Sequence, residues 1–136
     1  GLESLGFGSC EGGWYSYSGY SKYFLYCDAS EEWGDANNLC VNAGYDALAS
    51  INSASENTDV RNLSDSTSWI GLNDIGSEGS FIWTDGSGVS YTNWDSGWGW
   101  SQPDNFLGED CGEIYDDGSW NDDDCDDNQD FICSYY

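Results

Sequence analysis

Side chains with oxygen ligands are concentrated between Gln102 and Cys125, in a stretch that also holds the only proline of the chain, Pro103. Five of these side chains combine amides with carboxylates: Gln102, Asp104, Glu109, Asn121 and Asp122. Oxygen ligands of this mixed kind suit a hard divalent cation such as calcium. Amides also keep N–H donors that a metal does not use, so the site can hold a second ligand beside the cation. The stretch therefore predicts a calcium site with an open face, which serves binding rather than catalysis.

The segments that must position these side chains include two predicted helices. The first covers residues 30–43 and ends at Gly44, because apolar residues recur there at helical spacing and glycine is a common helix terminator. The second is shorter, covers residues 55–63 and begins with Ser55 as its N-cap, with Val60 and Leu63 facing inward. The buried face expected for the first helix comprises Trp33, Ala36, Leu39 and Cys40.

Strands are predicted on both sides of these helices. Two aromatic-rich runs, at 13–17 and 22–27, flank residues 18–21 and predict a β-hairpin. Pairing Tyr17 with Lys22 leaves Cys10 just beyond the end of the hairpin that holds Cys27, so a disulfide between these two cysteines is reasonable. Further short strands are expected at 69–72, 81–84, 111–115, 119–121 and 131–134. Residues 86–105 are rich in Gly, Ser and Trp and predict a long ordered loop, a feature that usually carries function.

The composition narrows the classes of function. The chain has 136 residues, a length that fits a single domain with its own core. It contains no histidine, and Lys22 and Arg61 are its only basic residues. Catalysis that depends on histidine is therefore excluded, and recognition of phosphate or nucleic acid by a basic surface is not expected.

The formal charge of −24 would by itself suggest disorder. Eight tryptophans, ten tyrosines and five phenylalanines argue for a folded chain, because they supply a large apolar core. Most of the acidic side chains must then lie outside any metal site and repel one another across the surface. A salty medium, a cationic or mineral partner, or solubility would each account for this excess, and the sequence leaves the three open.

Six cysteines, an even number, are typical of a secreted protein in an oxidising compartment. The sequence shows no initiator methionine, no apolar signal segment and no run long enough to cross a membrane, so we expect a mature, secreted, extracellular form. The sequon at Asn62 is compatible with that location. A cysteine-ligated zinc site is the competing interpretation, and the absence of any C-x-x-C pair disfavours it.

Sequence landmarks along nearly the whole chain resemble those of the C-type lectin carbohydrate-recognition domain. In chain order they are Trp14, YFLY at 23–26, WGDA at 33–36, WIGL at 69–72, FIWTDG at 81–86, QPD at 102–104, GEDC at 108–111, WNDDDC at 120–125 and FIC at 131–133. The resemblance implies an α+β fold over residues 1–136, in which two helices pack on small antiparallel sheets and a long ordered loop binds calcium. It also implies disulfides Cys40–Cys133 and Cys111–Cys125.

The resemblance implies a principal calcium bound by Gln102, Asp104, Glu109, Asn121 and Asp122, with a cis bond before Pro103. An auxiliary calcium is implied at Asp74, Glu78, Asn105 and Asp110. In this family QPD accompanies galactose-type sugars, whose vicinal hydroxyls bind calcium and exchange hydrogen bonds with its ligands. An aromatic ring packs on the apolar face of the sugar. The candidates for that ring are Phe106, Trp98 and Trp100, and the two tryptophans could equally belong to the loop core.

We therefore expect a non-enzymatic, calcium-dependent lectin, in the manner of invertebrate innate recognition. Its expected partners are glycans ending in galactose or N-acetylgalactosamine, with homo-oligomers as an option and without nucleic acid or membrane insertion. An acidic protein of the same fold that binds matrix, mineral or ice is the alternative, and the charge favours it. An enzyme that uses paired carboxylates such as Glu109 and Asp110 is the least favoured interpretation, because both fit better as metal ligands.

Overall fold

The computed structural model describes residues 9–77, 79–95 and 110–136. It begins with the hairpin of β1 (Ser9–Tyr17) and β2 (Tyr20–Glu31). Their turn has two residues, and Gly19 adopts a φ of 93° that other residues rarely tolerate. Tyr17 therefore pairs with Tyr20 and not with Lys22, so the predicted register was wrong by two residues. The shift places Cys10 directly opposite Cys27, and the predicted disulfide between them is confirmed.

Helix α1 (Trp33–Asn42) begins three residues later than predicted. The preceding residues extend β2 instead, because Glu31 pairs with Gln129 and its carbonyl oxygen accepts the indole N–H of Trp69 at 2.9 Å. Gly44 follows the helix with a φ of 96°, as expected of a terminator. Trp33, Ala36 and Cys40 are buried on the predicted face.

Helix α2 (Ala54–Leu63) follows the short strand β3 (Ala47–Leu48). Its cap is Ser53 and not Ser55, since the Ser53 hydroxyl oxygen accepts the backbone N–H of Glu56 at 3.2 Å. Val60 is fully buried, as predicted, and Leu63 packs against the same cluster. Asn57 fastens this helix to the rest of the fold, because its amide oxygen accepts the indole N–H of Trp120 at 2.8 Å.

The remaining strands complete one sheet in the described part of the chain. They are β4 (Ser68–Asn73), β5 (Ile82–Trp83), β6 (Cys111–Ile114), β7 (Trp120–Asp123) and β8 (Gln129–Tyr135). The strand order is β1-β2-β8-β4-β6-β7, with β3 beside β8 and β5 beside β4. Small antiparallel sheets were expected, and the parallel pairing of β4 with β8 joins the eight strands into one mixed sheet. The α+β class is confirmed, with a mixed sheet.

Both faces of the sheet are buried, and successive residues of β2 alternate between the two resulting clusters. Leu25 and Cys27 face the cluster that includes Trp33 of α1, whereas Phe24 and Tyr26 face the cluster that includes Val60 of α2. This follows from the two-residue period of a strand. The sheet therefore separates the two helices. In its strand order, β6 and β7 lie at one end.

Three disulfides join the elements. Cys40–Cys133 links α1 to β8, and Cys111–Cys125 links the start of β6 to the segment after β7, as the resemblance implied. Every cysteine is therefore bonded to another, which leaves none to bind zinc. Three disulfides are typical of an oxidising, extracellular compartment. Among the described residues, neither helix reaches the length and apolar character that crossing a bilayer requires.

One of the two basic residues of the chain is fully buried. The Lys22 ammonium lies 2.9 Å from Glu56 Oε1 and donates to the carbonyl and hydroxyl oxygens of Ser50, each at 2.8 Å. Tyr20 donates its hydroxyl to the other Glu56 oxygen. Because every polar atom of this pair is satisfied, it ties β2 to the start of α2 without leaving an uncompensated charge.

Candidate functional site

The β6–β7 hairpin places the Asn121–Asp122 dipeptide beside the sheet end. Asn121 pairs with Glu113 and Asp122 pairs with Gly112. Adjacent residues of a strand point to opposite faces, so Asn121 shares a face with Glu113 while the fully buried Asp122 lies on the other. A single ion bound by both side chains would therefore have to lie beside β7 on the side away from β6, where groups from both faces can reach it. At Trp120 that side is paired with Asn93 and Asp95.

The described residues that flank the segment 96–109 both lie next to this dipeptide. On one side, the Asp95 backbone N–H donates to the carbonyl oxygen of Trp120 at 2.8 Å. On the other side, Asp110 precedes Cys111, which pairs with Asp123. Both ends of the segment that contains QPD are therefore attached within a few residues of Asn121 and Asp122.

Glu113 holds the side chain of Asn121. The Asn121 amide nitrogen Nδ2 donates to Glu113 Oε2 at 2.9 Å, across the directly paired position of the two strands. The other carboxylate oxygen of Glu113 accepts from Gln129 Nε2, which also donates to Asp123 Oδ2 at 2.9 Å. Glu113 is 4% exposed, so these partners replace the water that it has lost.

The pKa of the buried Glu113 is also shifted far from its ordinary value. Burial raises the pKa of Glu113 to about 7, and the negative charge of Asp123 adds to the rise. Hydrogen bonds from Asn121 and Gln129 favour the carboxylate and oppose the rise in pKa. At mildly alkaline pH the side chain is therefore a carboxylate that accepts hydrogen bonds and donates none.

Two further acids, Asp74 and Asp110, face each other next to β4 and β6. The backbone N–H of Asp74 donates to the carbonyl oxygen of Asp110 at 3.0 Å, and Gly79 donates its N–H to Asp74 Oδ2 at 2.8 Å. The Oδ1 atoms of both acids are buried without a hydrogen-bond partner among the described residues. Burial and the neighbouring Asp110 together raise the pKa of Asp74. Two buried acidic oxygens that face each other repel when both are charged, and a bound cation would relieve that repulsion.

Several residues predicted for the site lie outside the described residues, so their positions stay predictions. They are Glu78, Trp98, Trp100, Gln102, Asp104, Asn105, Phe106 and Glu109, together with Pro103 and its predicted cis bond. The structure brings Asp74 to Asp110 and places Asn121 beside Asp122. No cluster of three or more acidic or cysteine side chains suited to a metal occurs among residues 9–77, 79–95 and 110–136. Both predicted calcium sites would thus need ligands from the other residues.

The sequence analysis missed Glu113 and Gln129 as parts of the candidate site. The sequence CGEI carries a signal for Glu113, since the two-residue period of β6 puts this acid on the same face as Cys111. A charged residue on a buried strand face requires partners. Gln129 gives no comparable signal, because its approach to Glu113 depends on how β8 and β7 are joined in space.

The chain matches the family model described as the lectin C-type domain over residues 29–135. Among curated relatives, lectin BRA-3 of Megabalanus rosa is 40% identical over 106 residues, which cover 74% of this chain and 63% of that protein. The alpha-N-acetylgalactosamine-specific lectin of Patiria pectinifera is 38% identical over 123 residues, covering 80% of this chain and 70% of the relative. The chain thus spans somewhat under two thirds of the first relative.

Solved structures with the same fold include proteins of different named function. The mouse scavenger receptor C-type lectin carbohydrate-recognition domain has a TM-score of 0.76 and 35% identity, and the match covers 89% of this chain and 91% of that one. A calcium-independent type II antifreeze protein has a TM-score of 0.78 and 28% identity, and covers 90% of each chain. The match to the family model covers well over half of the sequence, so this chain belongs to the C-type lectin domain family.

Proposed function

We propose that this chain is a calcium-dependent lectin domain that binds sugars of the galactose and N-acetylgalactosamine type. The principal calcium would be bound by Gln102, Asp104, Glu109, Asn121 and Asp122, and an auxiliary calcium by Asp74, Glu78, Asn105 and Asp110. Family membership supports the carbohydrate-binding class. A relative named for N-acetylgalactosamine specificity supports the choice of sugar.

One observation carries the proposal. The residues that flank the QPD-containing segment, Asp95 and Asp110, lie beside the Asn121–Asp122 dipeptide. The segment that carries Gln102, Asp104 and Glu109 is therefore joined at both of its ends to residues that flank Asn121 and Asp122. The unpartnered Oδ1 atoms of Asp74 and Asp110 add a second place where a cation would relieve buried negative charge.

The chemistry of the ligand set explains how such a site would select a sugar. Two neighbouring sugar hydroxyls would each give a lone pair to calcium, donate a proton to a carboxylate and accept a bond from an amide. Asp104 and Glu109 would supply the acceptors, and Gln102 and Asn121 the donors. Because every polar atom of the diol is then satisfied, a sugar that lacks the right hydroxyl geometry leaves buried groups unpaired. The order of amide before acid around Pro103 favours the galactose-type diol.

The calcium requirement is tested by retention on immobilised galactose. We expect the protein to bind in millimolar calcium, the range in which extracellular calcium modules commonly operate, and to elute with a chelator. Asp122→Asn should abolish retention while the protein stays folded, and Asp28→Asn, at an exposed position of β2, is a matched control that should bind normally. Retention that persists after thorough chelation would contradict the proposal.

Sugar preference is tested by exchanging the residues on either side of the proline. The double change of Gln102→Glu and Asp104→Asn keeps both the number of ligands and the net charge. We therefore expect calcium affinity to stay nearly constant while preference moves from galactose toward mannose-type diols. Elution of the unaltered protein from galactose by mannose, as effective as elution by galactose, would overturn the sugar assignment and leave calcium binding intact.

The alternative function is binding to mineral, matrix or ice by an acidic surface. The charge of −24 favours it, as does the likeness to a calcium-independent antifreeze protein. A protein of that kind should pass through the galactose matrix with or without calcium. Adsorption to a calcium mineral, or ice-growth inhibition, together with failure to bind the sugar column would favour the alternative over the proposed lectin.

A further inference from the structure

We infer that Glu113 is a positioning residue, which turns the Asn121 side chain so that its amide oxygen faces the bound cation. This inference rests on the proposed function, because it assigns Asn121 to the principal calcium. It extends that function to a side chain that is not itself a ligand. A hydrogen-bonding partner of this kind can matter nearly as much to metal affinity as the ligand that it holds.

The orientation follows from the chemistry of the two groups. A carboxylate only accepts hydrogen bonds, so the end of the Asn121 amide that meets Glu113 has to be the nitrogen. The observed bond joins Asn121 Nδ2 to Glu113 Oε2 at 2.9 Å. The two amide atoms diverge from the same carbon, so Nδ2 is the atom that Glu113 holds and Oδ1 is the atom left for an ion shared with Asp122.

Glu113 is itself held in place. Gln129 Nε2 donates to Glu113 Oε1 and, at 2.9 Å, to Asp123 Oδ2. The carboxylate is 4% exposed, so it has no room to exchange these partners for water. Asn121 Nδ2 retains a second N–H, which leaves one donor for a sugar hydroxyl. A single buried acid thus both orients the oxygen for calcium and preserves the amide donor for the sugar.

The test is a cycle of substitutions at positions 113 and 121, measured by calorimetric titration with calcium chloride at mildly alkaline pH. In Glu113→Gln, the new amide can accept from Gln129 but turns its N–H toward Asn121. Asn121 should then flip and present its nitrogen to the cation. We expect calcium affinity to fall by about 10-fold or more, within the range seen when such partners are lost.

The second single variant, Asn121→Asp, sets two carboxylates face to face across the paired strands. Adding Glu113→Gln to it restores a hydrogen bond of reversed polarity, in which the new amide donates to the new carboxylate and an oxygen again faces the cation. Glu113→Gln should therefore weaken calcium binding when position 121 is asparagine and strengthen it when position 121 is aspartate. A reversal of sign of this kind does not arise from general damage to the fold.

Controls separate the ways in which the inference can fail. Glu11→Gln removes one charge from exposed β1, at the opposite end of the strand order, and should bind calcium like the unaltered protein. Melting in chelator checks that each variant folds. Equal calcium affinity with and without Glu113→Gln, or a loss of the same size in both backgrounds, would overturn the inference alone. Failure of the unaltered protein to bind calcium would overturn the proposed function, and this inference with it.

Discussion

At the residue scale, most acidic side chains of the described residues are solvated, and a few are buried. Glu56 is compensated by Lys22, and Glu113 by the amides of Asn121 and Gln129. Asp74 lacks such compensation, because its neighbour Asp110 is also an acid. Buried acids without a basic partner indicate where the fold is under electrostatic strain, and a cation is the simplest way to relieve it.

The Asp74–Asp110 pair gives a direct prediction. Asp74→Asn should raise the melting temperature in chelator by about 3–5 °C, the shift that ~1 kcal/mol produces in a chain of this size. The new amide can donate to Asp110 while its oxygen still accepts from Gly79, so the repulsion disappears. The same variant should gain less stability than the unaltered protein when calcium is added. Thermal melts with and without calcium measure both effects.

Asp28→Asn serves as a control for Asp74→Asn, since it removes the same charge from an exposed strand position. A similar rise in chelator for both variants would mean that the overall charge, and not the pair, is responsible. Equal calcium-induced gains in all three proteins would contradict the assignment of Asp74 to a cation site.

The raised pKa of Glu113 predicts that the stability of the fold depends on pH. That pKa rises from an ordinary 4.5 to about 7 in the folded protein, so the folded state binds the proton more tightly than the unfolded state. The associated stabilisation is complete below pH 4.5 and is lost as the pH rises through about 7. The loss should reach at most about 3 kcal/mol, given 1.36 kcal/mol per pKa unit.

The measurement is urea unfolding in chelator across this pH range, for the unaltered protein and for Glu113→Gln. All other acids are common to both proteins, so the difference between the two curves isolates Glu113. We expect the unaltered protein to lose stability relative to the variant as the pH rises from 4.5 to about 7. Parallel curves would show that Glu113 titrates alike in the folded and unfolded states.

At the scale of elements, close backbone approaches hold the site-bearing strands against the core. Gly71 in β4 donates its N–H to Ala49 and accepts from Thr84, at 2.8 and 2.9 Å. A Cβ at this position would lie 2.7 Å from the carbonyl oxygen of Leu48. Backbone atoms cannot move aside as a flexible side chain can, so this glycine is required by space and not by its φ angle.

Gly71→Ala should therefore destabilise the fold by about 1–3 kcal/mol, the usual cost of overpacking. Gly34→Ala is a matched control at an exposed position of α1, where a Cβ meets nothing within 4 Å. That change should be neutral or stabilise by up to about 1 kcal/mol, because alanine loses less backbone entropy in a helix. Urea unfolding of both variants gives the comparison, and equal effects would contradict the proposed crowding at Gly71.

At the scale of the whole molecule, the charge of −24 dominates the electrostatics. Lys22 forms a buried ion pair, so of the two basic residues only Arg61, at an exposed position of α2, faces the solvated acids. Their mutual repulsion opposes the compact state, and salt screens it. Calcium would act differently, because it binds specific groups in the folded state and stabilises by mass action.

Screening by salt and specific binding of calcium are both predicted to raise the melting temperature after chelation, and calcium should raise it more. Sodium chloride should raise it gradually as screening increases. Millimolar calcium should add a larger rise than sodium chloride at the same ionic strength, and magnesium should not reproduce that rise, because it keeps its water and demands a tighter geometry. Thermal melts in matched salts provide the test. Equal shifts with calcium and ionic-strength-matched sodium would contradict specific binding.

Much of the fold could be predicted from local pattern. The two helices, their buried faces and the positions of the later strands follow from apolar spacing and from glycine, and all of them occur close to the predicted positions. The resemblance supplied the two long-range disulfides, which local pattern does not fix. Errors occurred at element ends. The continuation of β2 to Glu31 depends on pairing with the distant Gln129, whereas the cap of α2 is a local contact of Ser53 with Glu56 that was assigned two residues too late.

The sequence by itself determined which residue types can bind a cation and a sugar, because ligand chemistry depends on composition and spacing. Tertiary structure alone decided which of them meet. The parallel pairing of β4 with β8 joins the sheet, Asp74 reaches Asp110 across loops, and Glu113 faces Asn121 with Gln129 behind it. These contacts join residues far apart in the chain, whose approach is set by packing and by hydrogen bonding across strands. Local pattern carries no information about such distances.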